Sequence, residues 1–367
     1  MATRARKKTL KKGVTSKTIR KVKADLVGDM LEQINAKTDT VGALRFDSDD
    51  VIGHVKNVIS SGSLAIDSGT GIGGLPSGRI VEVYGQAQCG KTTFTDHVLA
   101  STQRLGGVAV VCDVEEKKDL AYAKSIGVNV KDMIILQPPT AGAFKTFEQV
   151  LRSIEVVLDV WLASGNTVPL TIAWDSIAST PTETEMEDTD SKQPGVAAKL
   201  MRKAMRRLTQ KVAWANALLL CTNQQYEKIG GFGGFAGVRR KTYGGDAIPY
   251  HASMRIELIR TGTLKTGSGE MYGVEGIAKF VKNNCAPPSN DQKYAIEWGK
   301  GFANDWSMYE KLKEYKYITT AGSWHTLNFD GLDSPKKFQQ SFRGMRALFE
   351  DSPQLFTQVQ NIYSQLP

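Results

Sequence analysis

Eight consecutive residues, Gly85-Gln86-Ala87-Gln88-Cys89-Gly90-Lys91-Thr92, match the pattern GxxxxGK[ST], and Thr93 follows. The glycines let backbone N–H groups turn inward around phosphate oxygens, and an ammonium and a hydroxyl follow at once. In such a loop Lys91 reaches the β- and γ-phosphates and Thr92 holds Mg²⁺. The spacing therefore points to nucleotide binding. Two acidic sites extend this chemistry. Leu170-Thr171-Ile172-Ala173-Trp174 is an apolar run that ends in Asp175, which can reach Mg²⁺ through water or cap the next segment. Asp113-Val114-Glu115-Glu116 follows a second apolar run, and a Glu there can polarise an attacking water. Spacing alone does not choose between Glu115 and Glu116, and both also read as a solvated turn.

These residues need a scaffold that delivers them to one place. Arg79–Tyr84 reads as a strand and Lys91–Leu105 as a helix, so the loop has the strand–helix context it requires. Strands at Val108–Cys112, Met133–Leu136, Leu170–Trp174 and Ala217–Thr222 alternate with helices. The helices are expected at Lys117–Ile126, along Phe144, Phe147, Leu151, Ile154, Leu158 and Trp161, and at Val196–Trp214. This order implies an α/β fold with a mostly parallel sheet covered by helices. Residues 252–282 read as two longer strands in a hairpin. From about Lys300 a small α+β module follows, closing on a helix near Pro353–Tyr363. Upstream, Ala24–Lys37 carries Leu26, Met30, Leu31 and Ile34 on one side of a short amphipathic helix.

Charge divides the chain differently. The 367 residues carry 47 Lys+Arg against 38 Asp+Glu, a net of +9. Ten of the basic side chains lie in residues 1–23, which hold no acid, so the remainder is close to neutral. The basic character is thus an arm on a neutral body. No run approaches the ~18 apolar residues that a membrane helix needs. The arm lacks the apolar core of a secretory signal, although it shares an acid-free, Arg-bearing character with transit peptides. Cys89, Cys112, Cys221 and Cys285 are far apart, which suits a reduced cytoplasmic protein and offers no zinc site.

A second cluster of chemistry follows Asn223-Gln224. Residues 225–242 set Lys228, Phe232, Phe235, Arg239, Arg240 and Lys241 among glycines. Basic groups neutralise phosphates, and aromatic or apolar side chains stack on bases or wedge between them. The pattern reads as a DNA-binding loop or, more plainly, as a flexible surface loop. Lys199, Arg202 and Arg206 share one helical face at spacings of three and four.

From about Val41 to Tyr363 the sequence resembles the bacterial RecA recombinases. The resemblance rests on Ser61-Gly62-Ser63-Leu64-Ala65-Ile66-Asp67, Gly73-Gly74-Leu75-Pro76-Ser77-Gly78-Arg79-Ile80-Val81-Glu82 and the phosphate loop. It continues through Tyr122-Ala123-Lys124-Ser125-Ile126-Gly127-Val128, Gln137-Pro138, Asp175-Ser176, Asn223-Gln224, Gly244-Gly245, Val281-Lys282-Asn283 and Ala321-Gly322-Ser323-Trp324. It implies a RecA-like P-loop ATPase core (residues 59–299). Before the core it implies an N-terminal helix and linker for subunit packing (24–58), after it an α+β C-terminal domain (300–367). Residues 1–23, outside the resemblance, are expected to be a disordered arm that tethers DNA in a salt-sensitive way.

The implied activity is ATP-dependent pairing of single-stranded DNA with homologous double-stranded DNA and strand exchange. It would be carried out by a head-to-tail helical filament with DNA-stimulated ATP hydrolysis. The resemblance favours Glu115 over Glu116 as the group that activates water. It places Asp119 and Tyr122 at the adenine, Gln224 at the γ-phosphate, and Tyr250 and Lys282 at the subunit interface, Lys282 reaching the neighbour's ATP. Residues 225–242, with Ile229 and the following Gly244 and Gly245, align with the second DNA-binding loop. The first DNA loop aligns with about Glu185–Pro194, which is acidic here, so Lys199, Arg202 and Arg206 on its helix flank are the better candidates. A ring-forming DNA motor and a passive single-strand-binding scaffold are the alternatives.

Some positions depart from the family. Asn284 stands where a second interface lysine is usual, with Lys279 as a conceivable substitute. Gln86, Ala87 and Gln88 replace the common Pro, Glu and Ser, and Cys89 replaces a small hydroxyl residue, which would expose the loop to thiol reagents. The sequence ends at Pro367 without the acidic tail of many bacterial members. These departures suit a divergent, phage-encoded member.

Overall fold

Parallel strands covered by helices are rich in apolar side chains, and five segments of this chain carry such runs. They are β1 (Arg79–Gly85), β2 (Val108–Asp113), β3 (Met133–Leu136), β4 (Leu170–Asp175) and β5 (Ala217–Lys228). The computed structural model describes residues 16–38, 42–48, 51–52, 54–137, 145–187, 196–228, 239–287, 289–339 and 341–366. Among these, five further strands complete one sheet: β6 (Arg239–Thr242), β7 (Met254–Lys265), β8 (Met271–Asn283), β9 (Gln292–Glu297) and β10 (Gly301–Phe302). The strand order is β10-β9-β8-β7-β1-β5-β4-β2-β3, with β6 paired to β5. Neighbours from β7 through β1, β5, β4 and β2 to β3 run parallel. The hairpin β7–β8 and the strands beyond it are antiparallel.

Alternation along the strands sorts the core into two layers. Ile80, Leu219, Cys221, Ile172 and Trp174 pack under the helices Phe147–Ser164 and Val196–Trp214. Val81, Val83, Leu218, Leu220, Ile256 and Leu258 pack under the helix Lys91–Arg104 through Phe94 and Val98. The helix Phe147–Ser164 starts where Thr146 and Gln149 form a reciprocal capping box, a feature worth about 1 kcal/mol. Most expected elements appear within a residue or two of their expected bounds.

Four boundaries differ. The helix expected from Lys117 begins at Leu120, because the Asp119 carboxylate accepts from the N–H groups of Ala121 and Tyr122. The Lys118 N–H meanwhile donates to Asp113 Oδ2 at 3.0 Å, which holds the preceding residues in a loop. β5 runs six residues past Thr222, because β6 supplies an antiparallel partner for its end. The helix expected from Ala24 begins at Ser16, so residues 16–23 are helical rather than disordered; residues 1–15 of the arm lie outside the described residues. The sheet also continues to Phe302, so the core passes the expected boundary at residue 299.

The chain divides into two units, Met1–His54 and Val55–Pro367. In the first, Asn35 clasps Ala43: its Nδ2 donates to the Ala43 carbonyl at 3.0 Å and its Oδ1 accepts from the Ala43 N–H at 2.6 Å. Leu26, Met30 and Ile34 are exposed on the helix. In the second, a three-stranded sheet (Ile318–Ala321, Trp324–Leu327, Lys336–Gln339) joins the helices Asn304–Glu314, Phe342–Asp351 and Pro353–Gln365 around its own core. Arg346 ties this module to the large sheet. It donates to Glu297 Oε1 at 2.6 Å and pairs with Asp305.

Candidate active site

β1 hands the chain directly to the phosphate loop. Gly85 is obligatory there, because a Cβ would lie 2.2 Å from the Leu258 carbonyl oxygen on β7. Gly90 has φ of 99° and caps the helix Lys91–Arg104, a backbone state that a side chain disfavours. The loop is braced from below: the Tyr294 hydroxyl donates to the Cys89 carbonyl at 2.6 Å. Cys89 is fully buried, and burial raises its thiol pKa. A buried, protonated thiol is a poor nucleophile, which argues against the expected sensitivity to thiol reagents. Lys91 Nζ donates to the carbonyls of Gly85 at 3.1 Å and Gln86 at 2.8 Å. Its ammonium thus rests on the loop that it would leave to meet phosphate.

The loop opens on a cavity of about 730 Å³ at the ends of the parallel strands. Ala87, Gln88, Gly90, Lys91, Thr92 and Thr93 line it, and the sheet adds Glu115, Asp175 and Gln224. The sheet register explains the meeting: Gly85 lies opposite Gln224, and Asp113 lies opposite Asp175. Glu115 enters the cavity, whereas Glu116 is not part of the lining and takes a positive φ of 53° in the turn.

The two carboxylates are held differently. Glu115 Oε1 accepts from Ser179 Oγ at 2.6 Å and from Ser176 Oγ at 2.9 Å, while Lys117 Nζ lies 3.2 Å from Oε2. The Ser179 hydrogen bond is the chief reason that its pKa falls below the usual carboxylate range. Asp175 is largely enclosed, and burial raises its pKa despite a 2.6 Å hydrogen bond from Thr222 Oγ1. Beside it Lys118 pairs with Asp96; their side chains are 8% and 1% exposed. Burial raises the Asp96 pKa, against the pull of Lys118.

Sequence reasoning missed Ser176, Ser179, Lys118, Asp96, Trp298 and Arg260. Asp175-Ser176 was visible only as a landmark, and Lys118 sat unremarked in a charged run. Nothing local signals that Trp298, about 200 residues from the loop, enters the same cavity.

Other candidates fall elsewhere. Tyr122 lines the cavity and shares a 2.7 Å hydrogen bond with the Thr93 hydroxyl. Asp119 is not among the lining residues; its Oδ1 caps the next helix by accepting from the N–H groups of Ala121 and Tyr122. Lys282 Nζ donates to the carbonyls of Pro249 at 3.0 Å and Tyr250 at 2.8 Å, so within this subunit it serves a helix end. Lys279 faces Asp291 at 3.5 Å within this subunit.

The basic face lies beyond the cavity. Arg202 and Arg206 line a groove of about 490 Å³ with Asp246, Ala247, Tyr250 and His251. Tyr250 is 79% exposed. Lys199, Arg202 and Arg206 are all exposed, while Arg207 and Lys211 of the same helix pair with Glu155 and Asp159. β5 and β6 bring the backbones of Lys228 and Arg239, then Glu227 and Arg240, and Tyr226 and Lys241, opposite one another. Ile229, Phe232 and Phe235 lie outside the described residues. At the base of these strands Asn223 Nδ2 donates to buried Glu82 at 2.9 Å and to the Tyr243 carbonyl at 2.9 Å. Glu82 also accepts from Arg255 Nε at 2.5 Å. Removing one partner of such a buried pair costs about 3–5 kcal/mol. Gly244 and Gly245, both at positive φ, form the turn that follows Tyr243.

A family model of the RecA N-terminal domain matches residues 25–303, across this whole sheet. The chain belongs to the RecA family. Protein RecA of Azoarcus sp. (strain BH72) is 34% identical over 340 residues, 92% of each chain. Protein RecA of Bordetella pertussis is 32% identical over 342 residues, again 92% of each. A DNA repair protein of Arabidopsis thaliana, recA homolog 3, mitochondrial, is 35% identical over 285 residues, 77% of this chain and 63% of the plant protein. The α/β architecture is thus that of a RecA-like ATPase core. Among the described residues no helix is long and apolar enough to cross a membrane.

Proposed function

We propose that this RecA family member is a DNA-dependent ATPase that acts as a homologous recombinase. In this reading it assembles head to tail on single-stranded DNA and exchanges that strand with a homologous duplex. The observation that carries the reading is the position of Gln224. It lines the cavity with Lys91 and Glu115, and its strand runs straight on to the glycine-rich basic segment. One residue therefore touches the proposed ATP site and the root of the proposed DNA loop.

The residues fit ATP and Mg²⁺ by chemistry. The cavity has a loop with no room for side chains at Gly85 and Gly90, a helix N-terminus, the Lys91 ammonium, the Thr92 hydroxyl and the enclosed Asp175 carboxylate. Mg²⁺ keeps most of its waters and asks the protein for few ligands, which Thr92 and Asp175 can supply. When bound, the ion neutralises charge on the phosphate chain. Lys91 exchanges the carbonyls of Gly85 and Gln86 for phosphate oxygens. Glu115 accepts the proton of the attacking water, and Ser176 and Ser179 fix the direction of its carboxylate. Tyr122 and Trp298 offer rings to a base from the cavity wall.

Arg202, Arg206 and Lys199 attract the DNA backbone, joined by Lys228, Arg239, Arg240 and Lys241. Tyr250 and Lys282, close together in this subunit, face a neighbouring copy in the filament. The 1–23 segment adds a nonspecific tether to DNA.

Strand exchange tests the reading. The protein with ATP, Mg²⁺, circular single strands and homologous linear duplex is expected to form joint molecules. Heterologous duplex should give none. Strand separation without pairing would indicate a motor, and binding without either product a passive scaffold.

A further inference from the structure

Beyond Lys91, the cations on the cavity wall are Lys117 and Lys118, which pair with Glu115 and Asp96, and Arg260, which has no role in the nucleotide reading. Arg260 lines the cavity and stands two residues beyond Leu258, which lies opposite Gly85 across β7 and β1. Side chains alternate along a strand. Met254, Ile256 and Leu258 pack in one layer with Phe94 and Val98 of the helix after the phosphate loop, so Arg260 projects toward the same face. Leu218 and Leu220 belong to that layer too, which puts Gln224 on this face from the other flank of β1. Between Arg260 and Gly262 the register with β8 shifts, opposite Glu275 and Gly276. Such a bulge bends the strand and re-aims side chains, and bulges are frequent beside active sites.

The contacts of the guanidinium are neutral. Nη1 donates to Gln88 Oε1 at 3.3 Å and Nη2 to Thr263 Oγ1 at 3.1 Å. Among the described residues no carboxylate pairs with it. Gln88 itself sits in the phosphate loop at φ of 59°, a region that residues other than glycine seldom occupy. An uncompensated cation thus rests on a strained residue at the lip of a phosphate-binding loop.

We propose that Arg260 contacts the terminal phosphate of bound ATP from within the same subunit, and that Gln88 holds it in readiness. The proposal rests on the nucleotide reading above and adds a residue to it. A guanidinium forks across two phosphate oxygens, a bidentate pairing that the amide and hydroxyl acceptors held now cannot match. Because β1 separates Arg260 from Gln224, the two would approach the same phosphate from opposite flanks. The protein would then distinguish triphosphate from diphosphate by a charge fixed on its own sheet.

The test compares affinities of the full chain for ADP and for a nonhydrolysable ATP analogue, with Mg²⁺ and without DNA, by calorimetry. Arg260→Gln is expected to weaken analogue binding roughly ten-fold or more while ADP stays within about two-fold. Arg260→Lys should recover part of the loss, as a charge without the fork. Equal losses for both nucleotides, or none, would overturn the assignment. Weaker binding to single-stranded DNA with unchanged nucleotide discrimination would move Arg260 to the DNA and overturn it as well. A wild-type chain that binds neither nucleotide would instead sink the nucleotide reading, and this assignment with it.

Discussion

The phosphate-loop end of the sheet and the groove beside Arg202 are both charged, but they are built on opposite terms. At the first, the charges are held. Lys91 rests on two carbonyls, Lys118 on Asp96, and Glu115 on two serine hydroxyls. At the second, Arg202 and Arg206 line open surface, and among the described residues no carboxylate pairs with either. Reaction chemistry needs groups fixed within fractions of an ångström, whereas attraction of a polyanion needs only uncompensated charge near solvent. The arrangement separates a site built to react from a face built to attract. Arg260 is the exception, since it lines the first region in the manner of the second.

The sharpest way to test that separation is Glu115→Gln. It keeps the shape and the serine partners but removes the base, so turnover should fall by about 10²–10⁴ while ATP and DNA binding persist. Unchanged DNA-stimulated hydrolysis would dissolve the contrast by removing Glu115 from the chemistry. On the other side, Arg202→Ala with Arg206→Ala should leave DNA-free hydrolysis intact. Loss of two phosphate contacts should flatten the salt dependence of single-strand binding by about 1.4 in the log–log slope. An unchanged slope would make the groove a subunit contact only.

Ser179→Ala gives the smallest and most specific effect. In the native site hydrogen bonding holds the Glu115 pKa down, so the carboxylate stays ionised as pH falls into the ordinary carboxylate range. Removing the leading donor raises that pKa. The acidic limb of kcat/KM for ATP should therefore move to higher pH, with the neutral-pH rate little changed. A limb that stays in place would mean that Glu115 does not titrate in the reaction.

Much of the fold was legible because its signals are local. Leu170–Asp175 and Ala217–Cys221 are apolar runs of strand length, and Val196–Trp214 carries a helical stripe with basic groups opposite. Two of the boundaries that moved did so where a partner outside the element intervened. β6 extended β5, and a carboxylate on β2 held Lys118 out of the following helix. Asp119 shows the reverse case. The resemblance implies a place at the base for it by position, and the fold adds a second task, since its Oδ1 caps the helix two residues on.

By itself the sequence determined the phosphate loop, the α/β order, the presence of acids at strand ends and the uneven placement of basic charge. Each of these depends on residues within one turn or one strand of each other. Tertiary structure decided which of those residues meet. Parallel register brings Gly85, Gln224 and Asp175 to one edge, and chain reversal through β7, β8 and β9 adds Arg260 and Trp298 from more than 170 residues away. It also decided protonation, because burial acts on Asp175 and Cys89 while hydroxyl donors act on Glu115. Those environments come from sheet packing, which no spacing within the chain encodes.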